Sequence, residues 1–598
     1  MSERSSLLSL FPQRPRAPFR FPIAVALRRA LAQGYTSADL RTDALAGLVV
    51  GIVALPLSMA LAIAVGVPPQ HGLYTAIVAG AVVALTGGSK FQITGPTAAF
   101  VVVLAPIVTR HGLSGLLTAG LMAGVLLVLM GVARFGKLIQ FIPHPVTTGF
   151  TAGIATVIAT LQIKDALALS LPRLPETFLE KVHAMWLARA SASLPDFAIA
   201  AFTLGLLLLL PRAFPALVRR VPAPLIALIS ASLLAIVLTR WWPTFAPATI
   251  GSRFSTVVDG HLLRGIPALP PRPMLPWGEG TLSLGAASQL GSAAFAIAML
   301  GAIESLLSAV IADGMTGKRH DPDGELIGLG IGNIVAPFFG GIAATGALAR
   351  TATNVRAGAR SPIAAVVHSI VVLLAVVLFA PLVAYVPMAS LAGLLLLVAW
   401  NMSEAKHFVH ITRVAPRSDV AVLITCYLLT VFFDMVVAVS VGVVLAALLF
   451  MRRTAELTQS RIFDGTVNQT EHDLPPGVAV FEIAGPLFFG AAQNAMGALS
   501  TIGERTHVVV LALGSVPSID ATGLVALESA LKRLQDAKKQ VVLSGPLPQP
   551  RRVFERADLP KHFAHVRFAE DLAAGIALAR ELEMGASGSP TSEKVPRR

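Results

Sequence analysis

The sequence predicts an α-helical membrane protein with many crossings and a small α/β domain at its C-terminal end. Hydrophobic residues make up 55% of the 598 residues and charged residues only 13%, about half of the charged share in soluble domains. Apolar stretches of about the 20 residues that a helix needs to cross a bilayer recur between residues 43 and 453. After residue 453 they stop, and segments of strand length alternate with segments of helical spacing.

These changes in composition and hydrophobic pattern divide the chain into five parts. We expect a basic N-terminal segment at 1–42, a transmembrane domain at 43–453, a linker at 454–472, an α/β domain at 473–583 and a disordered tail at 584–598. The tail consists of Ser, Gly, Pro and charged residues, which cannot bury enough apolar surface to fold.

The formal net charge of +14 is distributed as in a membrane protein. Basic residues cluster before the first apolar stretch and in every second loop, as in cytoplasmic segments, whereas a nucleic-acid binder gathers its charge on one folded face. The sequence therefore predicts a multi-pass protein of the cell inner (plasma) membrane, with the N-terminus and the C-terminal domain in the cytoplasm and no nucleic-acid partner. The arginines before the first apolar stretch are Arg4, Arg14, Arg16, Arg20, Arg28, Arg29 and Arg41.

Fourteen membrane elements are predicted. We place them near 45–65, 71–87, 94–109, 113–133, 138–161, 195–211, 222–240, 289–312, 325–341, 345–356, 362–380, 382–401, 419–432 and 434–451. With the N-terminus inside, the loops that follow even-numbered elements are basic, and the long loops at 162–194 and 241–288 face outside.

The third and tenth elements differ from the rest because both are short and open with a glycine-interrupted segment. The third opens at 94–99 (TGPTAA) and the tenth at 345–351 (TGALART). Each is the third element in a half of seven, and seven is odd, so the two halves form inverted repeats. Irregular backbone at membrane depth must line a cavity or be buried in protein, and paired broken segments of this kind mark the central site of a transporter.

Two such helix starts facing each other would present unpaired N–H groups and positive dipole ends to an anion. Arg350, one turn into the tenth element, would add a full positive charge. The alternative is that both segments are ordinary packing kinks, because glycine is common in membrane helices.

Glu304 lies in a stretch, 296–312, in which every other residue is apolar or small. A carboxylate there is costly and by default functional, and this carboxyl group could carry a proton. The alternative is a structural partner for Arg350 or for a backbone group. Asp434, at the division between the last two elements, is a weaker candidate.

Four segments resemble the SulP anion transporters, solute carrier family 26. They are 95–99 (GPTAA), 304–307 (ESLL), 325–328 (ELIG) and 349–360 (ARTATNVRAGAR). The resemblance extends from about residue 35 to residue 582. Three further stretches, at 299–307, 398–405 and 433–436, are most similar to a bacterial C4-dicarboxylate transporter of that family.

The resemblance implies a core domain of elements one to four and eight to eleven, a gate domain of the remaining elements, and a homodimer. It implies an anion held between the starts of the third and tenth helices, with Glu304 at the acidic position linked to proton or sodium coupling. Bicarbonate relatives that use sodium tend to have aspartate there, so glutamate favours protons. The site residues that it implies are Thr97, Ala98, Phe100, Gly346, Ala347 and Arg350, with Gln70, Tyr74 and Ser308 as secondary candidates.

The expected function is therefore secondary active uptake of a small anion through the lipid bilayer. Similarity favours C4-dicarboxylates such as succinate, fumarate or aspartate, and the alternatives are sulfate and bicarbonate. Only one arginine is visible at the site, so counting charges does not decide between them. An uncoupled anion channel and an anion-sensing membrane regulator are the rivals from other classes.

The C-terminal segments at 478–483, 507–513, 522–537, 540–544, 551–556, 566–568 and 571–582 read as alternating strands and helices. They resemble a STAS domain, the fold of anti-sigma-factor antagonists. The segment 518–524 (SIDATGL) matches that fold's phosphoacceptor loop, with Thr522 at the acceptor position and Asp520 retained. A threonine at a helix start is also an ordinary N-cap, so both readings stay open. A cytoplasmic regulatory protein is the expected partner of this domain.

The sequence gives no sign of an enzyme or of a cofactor. The one cysteine, Cys426, lies in an apolar stretch, which excludes an intrachain disulfide and argues against a cysteine metal site. We find no nucleophile–base arrangement, no metal-ligand spacing and no nucleotide-binding loop.

Overall fold

The computed structural model describes residues 22–139, 143–171, 175, 177–258, 261–278, 284–433, 435–456, 458–464, 474–499, 502–503 and 505–587. Asp434 and most of the predicted disordered tail lie outside these residues. The chain divides into two units, Met1–Val444 and Leu445–Arg598.

The first unit is helical, with two very short strands and one hairpin. Its N-terminal half contains α1 (Val25–Ala32), α2 (Ser37–Val65), α3 (Pro69–Thr86), β1 (Thr94–Gly95), α4 (Ala98–Val132), α5 (Gly136–Ile139), α6 (His144–Ala166), α7 (Phe178–Leu187), α8 (Leu194–Ala213), α9 (Pro215–Arg220) and α10 (Ala223–Trp241). Next come α11 (Ile250–Arg253), β2 (Ser255–Val258), β3 (His261–Arg264), α12 (Leu284–Thr316), α13 (Pro322–Val335), β4 (Thr345–Gly346), α14 (Leu348–Arg356), α15 (Ile363–Val383), α16 (Met388–Ser403), α17 (Ala405–Val414), α18 (Arg417–Phe432) and α19 (Met435–Glu456). The division between the two units falls within α19.

Local sequence signals account for where several of these helices begin. Thr36 and Asp39 form a capping box at the start of α2, in which each side chain accepts a hydrogen bond from the other's backbone. Asp321 caps α13 by accepting from the Gly324 amide at 2.9 Å. Pro69 stands at the start of α3, where a missing N–H costs nothing.

Nine helices in the described ranges are long and apolar enough to cross a membrane. Large apolar side chains on these helices, such as Leu209, Leu233 and Leu378, are 62%, 57% and 64% exposed. Exposed side chains of this kind suit contact with lipid acyl chains. Together with the fourteen predicted elements, each of which is present as a helix or a strand–helix step, they confirm the polytopic fold.

The helices pack into two groups. In one, α13 and α12 pack against α4, and α15 packs against α2 and α3. In the other, α16 packs against α6 and α8, and α18 packs against α6. This division agrees with the core and gate groups that the resemblance implied. Gly124 of α4 and Gly330 of α13 lie at one contact, where a Cβ on either would come within 2.7 Å of the other's carbonyl oxygen.

The predicted division between the third and fourth elements is present as a kink in α4, where the backbone at Gly112 is not helical (φ 66°, ψ −167°). One other detail differs from the predicted elements. The ten-residue helix α17 was not predicted as a separate element. It follows Glu404, whose left-handed backbone (φ 42°) turns the chain after α16.

The second unit is an α/β domain around a five-stranded sheet. Its elements are β5 (Gln459–Asp464), β6 (Val478–Ala484), α20 (Phe489–Ala498), β7 (Val508–Ser515), α21 (Ala521–Asp536), β8 (Gln540–Ser544), α22 (Pro548–Arg556), α23 (Leu559–His562), β9 (Val566–Ala569) and α24 (Leu572–Ser587). The strand order is β5-β6-β7-β8-β9, with β5 antiparallel and the others parallel.

Helices cover both faces of this sheet. Side chains of α20, α21 and α22 pack on one face around Phe481 and Leu511, and α24 covers the other face around Val480 and Val510. Parallel strands of this kind are apolar on both faces, as Val508–Leu513 are here. The strand β5 lies inside the segment 454–472 that we expected to be linker, so the folded domain begins earlier than predicted.

Candidate functional site

The two interrupted segments meet in a short antiparallel ladder. Thr94 pairs with Gly346, and Gly95 pairs with Thr345. The Ala347 amide extends this ladder by donating to the Ile93 carbonyl at 2.8 Å. Because α4 and α14 begin directly after the paired residues, their N-terminal ends start at the same place in the molecule.

Glycine allows the two segments to approach this closely. A Cβ on Gly95 would lie 2.7 Å from Nη1 of Arg350. A Cβ on Gly346 would lie 2.4 Å from Nε2 of Gln92. Real Cβ atoms do not tolerate such distances, so a side chain at either position would push a buried polar group out of place.

The first turns of both helices lack a side-chain cap. Thr97 and Ala347 are the N-cap residues, both with extended backbone, and neither side chain accepts a hydrogen bond from its helix. The amides of a helix start carry partial positive charge and need an acceptor. These two helix starts are therefore available to an anion. The predicted site residues Ala98, Phe100 and Ala347 are buried beside them.

Arg350 ties the second helix to the turn before the first. It is only 3% exposed, and its Nη2 donates to the Pro96 carbonyl oxygen. Its Nη1 has no hydrogen-bond partner among the described residues. A buried N–H group without a partner is costly, so this guanidinium has capacity to hold a negatively charged ligand.

Glu304 meets the same turn from another helix. Its Oε2 accepts a hydrogen bond from the Thr97 hydroxyl at 2.8 Å, which explains why the Thr97 side chain does not cap α4. Within the part of the chain that the structure describes, no ion pair joins Glu304 to Arg350. Each side chain instead bonds to one residue of the Pro96–Thr97 step, so the acid and the base contact consecutive residues of the same turn.

The structure places one secondary candidate next to the ladder and two away from it. Ser308 lies behind the ladder, where its hydroxyl donates to Oγ1 of Thr351 at 3.1 Å. Gln70 instead donates to Thr256 of β2 at 3.3 Å, and it is about 15 Å along α3 from Gly80, at 1.5 Å of rise per residue. The Gly80 position faces the Thr94 carbonyl. Gln70 is therefore not brought to the ladder.

Tyr74 is also displaced from the ladder, toward the same end of α3. Its ring packs edge-on against His71, 6.2 Å between centroids, and beside Gly340. The reason is geometric: both secondary candidates on α3 lie in its first two turns, whereas the ladder packs against its later turns.

Sequence reasoning missed three buried polar side chains near the ladder. Gln92, Ser305 and Glu325 form one hydrogen-bonded cluster. A signal existed for Glu325, because it is followed by an apolar and glycine-rich stretch in the same way as Glu304. No comparable signal marks Gln92 or Ser305, whose residue types are common at helix ends and in membrane helices.

His368 was also missed. It is fully buried in α15, and neither ring nitrogen has a hydrogen-bond partner among the residues that the structure covers. Its Nδ1 would lie 3.7 Å from a Cβ on Gly80, a position that also faces Thr94. A single histidine in the apolar stretch of α15 was the available signal.

In the second unit, the N-cap reading of Thr522 is wrong. The cap of α21 is Asp520, whose Oδ1 accepts from the Gly523 amide at 2.7 Å. Thr522 is exposed and lines a surface cavity of about 480 Å³ together with Gln493, Ser529 and Arg533. The hydroxyl is thus accessible, as a phosphoacceptor must be.

The residues described in the structure hold no group of three His, Cys, Asp or Glu side chains that could bind a metal ion. Cys426 is buried, in contact with the carbonyl of Ala438 at 3.7 Å.

Comparison with known families identifies both units. The sulfate permease family matches residues 40–426, and the STAS domain family matches residues 469–574. The Bacillus subtilis protein YvdB, which carries a provisional sulfate-transporter name, is 39% identical over 88% of this chain and 95% of its own length. The bicarbonate transporter BicA of Picosynechococcus is 29% identical over 88% of this chain and 92% of its own length.

Solved structures agree on the fold. The murine solute carrier 26 family member A9 anion transporter in the inward-facing state superposes with a TM-score of 0.79 at 16% identity, covering 96% of this chain and 97% of that chain. The transmembrane domain of a cyanobacterial BicA superposes with a TM-score of 0.57 at 25% identity, covering 68% of this chain and 97% of that domain.

Proposed function

The chain belongs to the sulfate permease family of anion transporters, and we propose that it is a secondary active transporter whose anion binds between the starts of α4 and α14. The observation that carries this proposal is the β1–β4 ladder, which brings two uncapped helix ends together. Arg350 adds a buried charge with an unused N–H group. Glu304 contacts the same turn.

The substrate we propose is a compact oxyanion, with sulfate first and bicarbonate second. Among the described residues of the first unit, Arg350 is the one buried arginine or lysine. The proposed site therefore has one full positive charge. That arrangement suits one anionic group, and the relatives compared above are named for sulfate and bicarbonate. A C4-dicarboxylate has a second carboxylate, for which no further buried cation is at hand.

C4-dicarboxylates such as succinate, fumarate or aspartate remain a candidate after these two oxyanions, because the stretches at 299–307, 398–405 and 433–436 resemble a transporter of that class. Competition decides between sulfate and the dicarboxylates. Purified protein in liposomes should take up radiolabelled sulfate in a saturable manner, and unlabelled sulfate should inhibit it more strongly than succinate. Stronger inhibition by succinate would favour the dicarboxylate, and no uptake of either anion or of bicarbonate would contradict the proposal.

We further propose that Glu304 carries the coupling proton. A protonated carboxyl group would remove one negative charge before the loaded site passes through a low-dielectric region. Glu304→Gln keeps the size and the hydrogen bond from Thr97 but cannot exchange a proton. We expect an imposed pH gradient to stop accelerating uptake in this variant, while exchange of internal for external anion continues.

The matched control is Glu404→Gln, at an exposed carboxylate after α16, which should respond to the gradient as the unmodified protein does. Proton flux measured with a trapped pH dye gives an independent readout. Gradient-driven uptake that is unchanged in Glu304→Gln would rule out this role.

A channel and a membrane sensor are the competing functions. A channel would pass anions far faster than a carrier turns over and would need no buried acid. A sensor would lose signalling, but not anion binding, when residues 454–598 are deleted, whereas a regulated carrier would lose transport or its control. We favour the carrier because Glu304 contacts the same turn as the anion-binding arginine.

The second unit is proposed to regulate transport from the cytoplasm. Thr522 is exposed beside Arg533, so a kinase could reach it, and a regulatory protein could bind the surrounding cavity. Homodimer formation is part of the same proposal. The family resemblance supports it, and light scattering of the detergent-purified protein measures it directly.

A further inference from the structure

A buried hydrogen-bonded cluster, which we call the connector anchor, joins Glu325, Gln92 and Ser305. Oε2 of Glu325 accepts from the backbone amides of Gly88 at 2.9 Å and Ser89 at 2.8 Å. Its Oε1 accepts from Nε2 of Gln92 at 2.7 Å. The same Nε2 donates to the Ser305 hydroxyl at 2.5 Å.

The anchor is enclosed within the protein. Glu325 is 1% exposed, Gln92 5% and Ser305 fully buried. A buried carboxylate is tolerated when hydrogen bonds or an opposite charge replace its hydration. No lysine or arginine forms an ion pair with Glu325 within the described ranges. Its three N–H donors all come from the segment 87–93 that connects α3 to β1. The carboxylate therefore fixes this connecting segment and does not pair with a lysine or arginine.

The connector leads directly into the proposed anion site. Gln92 lies two residues before Thr94, the first residue of β1, and its amide touches the position of Gly346 in β4. Ser305 follows Glu304 on α12. The anchor therefore joins three elements: α13 through Glu325, α12 through Ser305, and the strand that precedes α4.

We propose that Glu325 and Gln92 are positioning residues that hold the uncapped start of α4 at its place beside Glu304. This inference rests on the proposed function, because it concerns the geometry of the same site. Neither residue contacts the anion. Their effect passes through the connector backbone, which sets where Thr97 and the first amides of α4 lie.

The donor and acceptor pattern of the anchor makes a sharp test possible. Glu325→Gln removes one acceptor oxygen and places an amide against a second amide. Gln92→Glu places two carboxylates in contact, which is strongly unfavourable in a buried site. The double exchange restores the pattern: at position 325 one oxygen accepts both backbone amides, and the new NH₂ donates to the carboxylate at position 92. Volume and net charge are those of the unmodified protein.

Sulfate uptake in liposomes gives the functional readout. Each single variant should raise KM about 10-fold or more, the loss of roughly one charge-assisted hydrogen bond, and the double exchange should return KM to within about 3-fold of the unmodified protein. The paired control is Gln535→Glu with Glu581→Gln, both exposed in the second unit, which should leave KM unchanged. Single variants with unchanged KM, or a double exchange as impaired as the singles, would overturn the inference.

Hydrogen–deuterium exchange of the full-length protein in detergent gives a readout that does not need transport. Amides of Gly88 and Ser89 should exchange faster in each single variant and regain protection in the double exchange. If the unmodified protein takes up no sulfate, the proposed function fails, yet unchanged exchange in Glu325→Gln would separately refute the anchor. Ser305→Ala, which removes one acceptor and no charge, is the variant to use if a single charge change prevents folding. It should raise KM about 3-fold, and an unchanged KM would count against the anchor.

Discussion

At the scale of single residues, the site depends on one turn of backbone contacted by two side chains. Arg350 bonds to the carbonyl of Pro96, and Glu304 bonds to the hydroxyl of Thr97. Movement of that turn would change the distance between the acid, the guanidinium and the first amides of α4 together. In the mechanism that we propose, the bound anion and the bound proton would be linked through two consecutive residues.

Removing the charge of Arg350 should weaken substrate binding. Arg350→Gln loses a charge-assisted interaction worth about 1.5–3 kcal/mol, so we expect KM for sulfate to rise about 10- to 100-fold. Uptake at increasing sulfate concentration measures this. Arg356→Gln, an exposed arginine in the last turn of the same helix, is the control and should bind sulfate normally. Equal KM values in the two variants would remove Arg350 from the site.

The sequence predicted the charged part of this site better than its polar part. Arg350 and Glu304 were identifiable because a charge in an apolar stretch is costly and needs a reason. Gln70 was a candidate through the family resemblance alone, and in the structure it bonds to Thr256. Gln92 has no such signal, since its role depends on tertiary contacts with Ser305 and Glu325.

At the scale of elements, both the ladder and the break within α4 replace regular helix. The break is at Gly112, where φ is 66° and ψ is −167°. An added Cβ there would meet nothing within 4 Å. The constraint at this position is therefore backbone conformation and not space.

Gly112→Ala should destabilise the protein by about 1–3 kcal/mol, because its positive φ with ψ near 180° is a backbone conformation that is essentially restricted to glycine. A matched control is Gly291→Ala in α12, which also has open space around it but ordinary helical φ. That change should be neutral or slightly stabilising, since alanine favours helix by about 1 kcal/mol over glycine. Thermal unfolding in detergent measures both. A stable Gly112→Ala would show that the break is not required.

Hydrophobic patterning predicted the positions of the long apolar helices well, but it did not reveal the short or polar elements. The ladder has two residues per strand, too few for a period of two to register. The edge strand β5, with sequence QSRIFD, carries polar residues on its open side and reads as linker. The amphipathic helix α17 lies in the segment 402–418, which we expected to be a cytoplasmic loop because it carries Lys406, Arg413 and Arg417.

At the scale of the whole molecule, the orientation inferred from loop charges can be tested with thiol chemistry. Cys426 is the single cysteine and is buried, so the unmodified protein should give little background with a membrane-impermeant maleimide. Leu275→Cys, 54% exposed in the long loop before α12, should be labelled on intact cells. Arg413→Cys, exposed on α17, should be labelled only after permeabilisation. The reverse pattern would place the N-terminus outside and contradict the predicted orientation.

The two-unit organisation was visible from composition alone, because membrane and aqueous surroundings select different residues. The family resemblance also placed the site between inverted halves. What the sequence could not supply was the backbone ladder between the two segments, since a strand pairing of residues so far apart leaves no local pattern.

That pairing has a consequence for biosynthesis. Thr94 is made early, but its partner Gly346 follows only after the intervening segments have left the ribosome. Contacts of such large sequence separation form slowly, since a long loop must close before they contribute. The first half of the nascent chain must therefore remain in the bilayer with its strand unpaired, and the proposed anion site is completed only when the second half inserts.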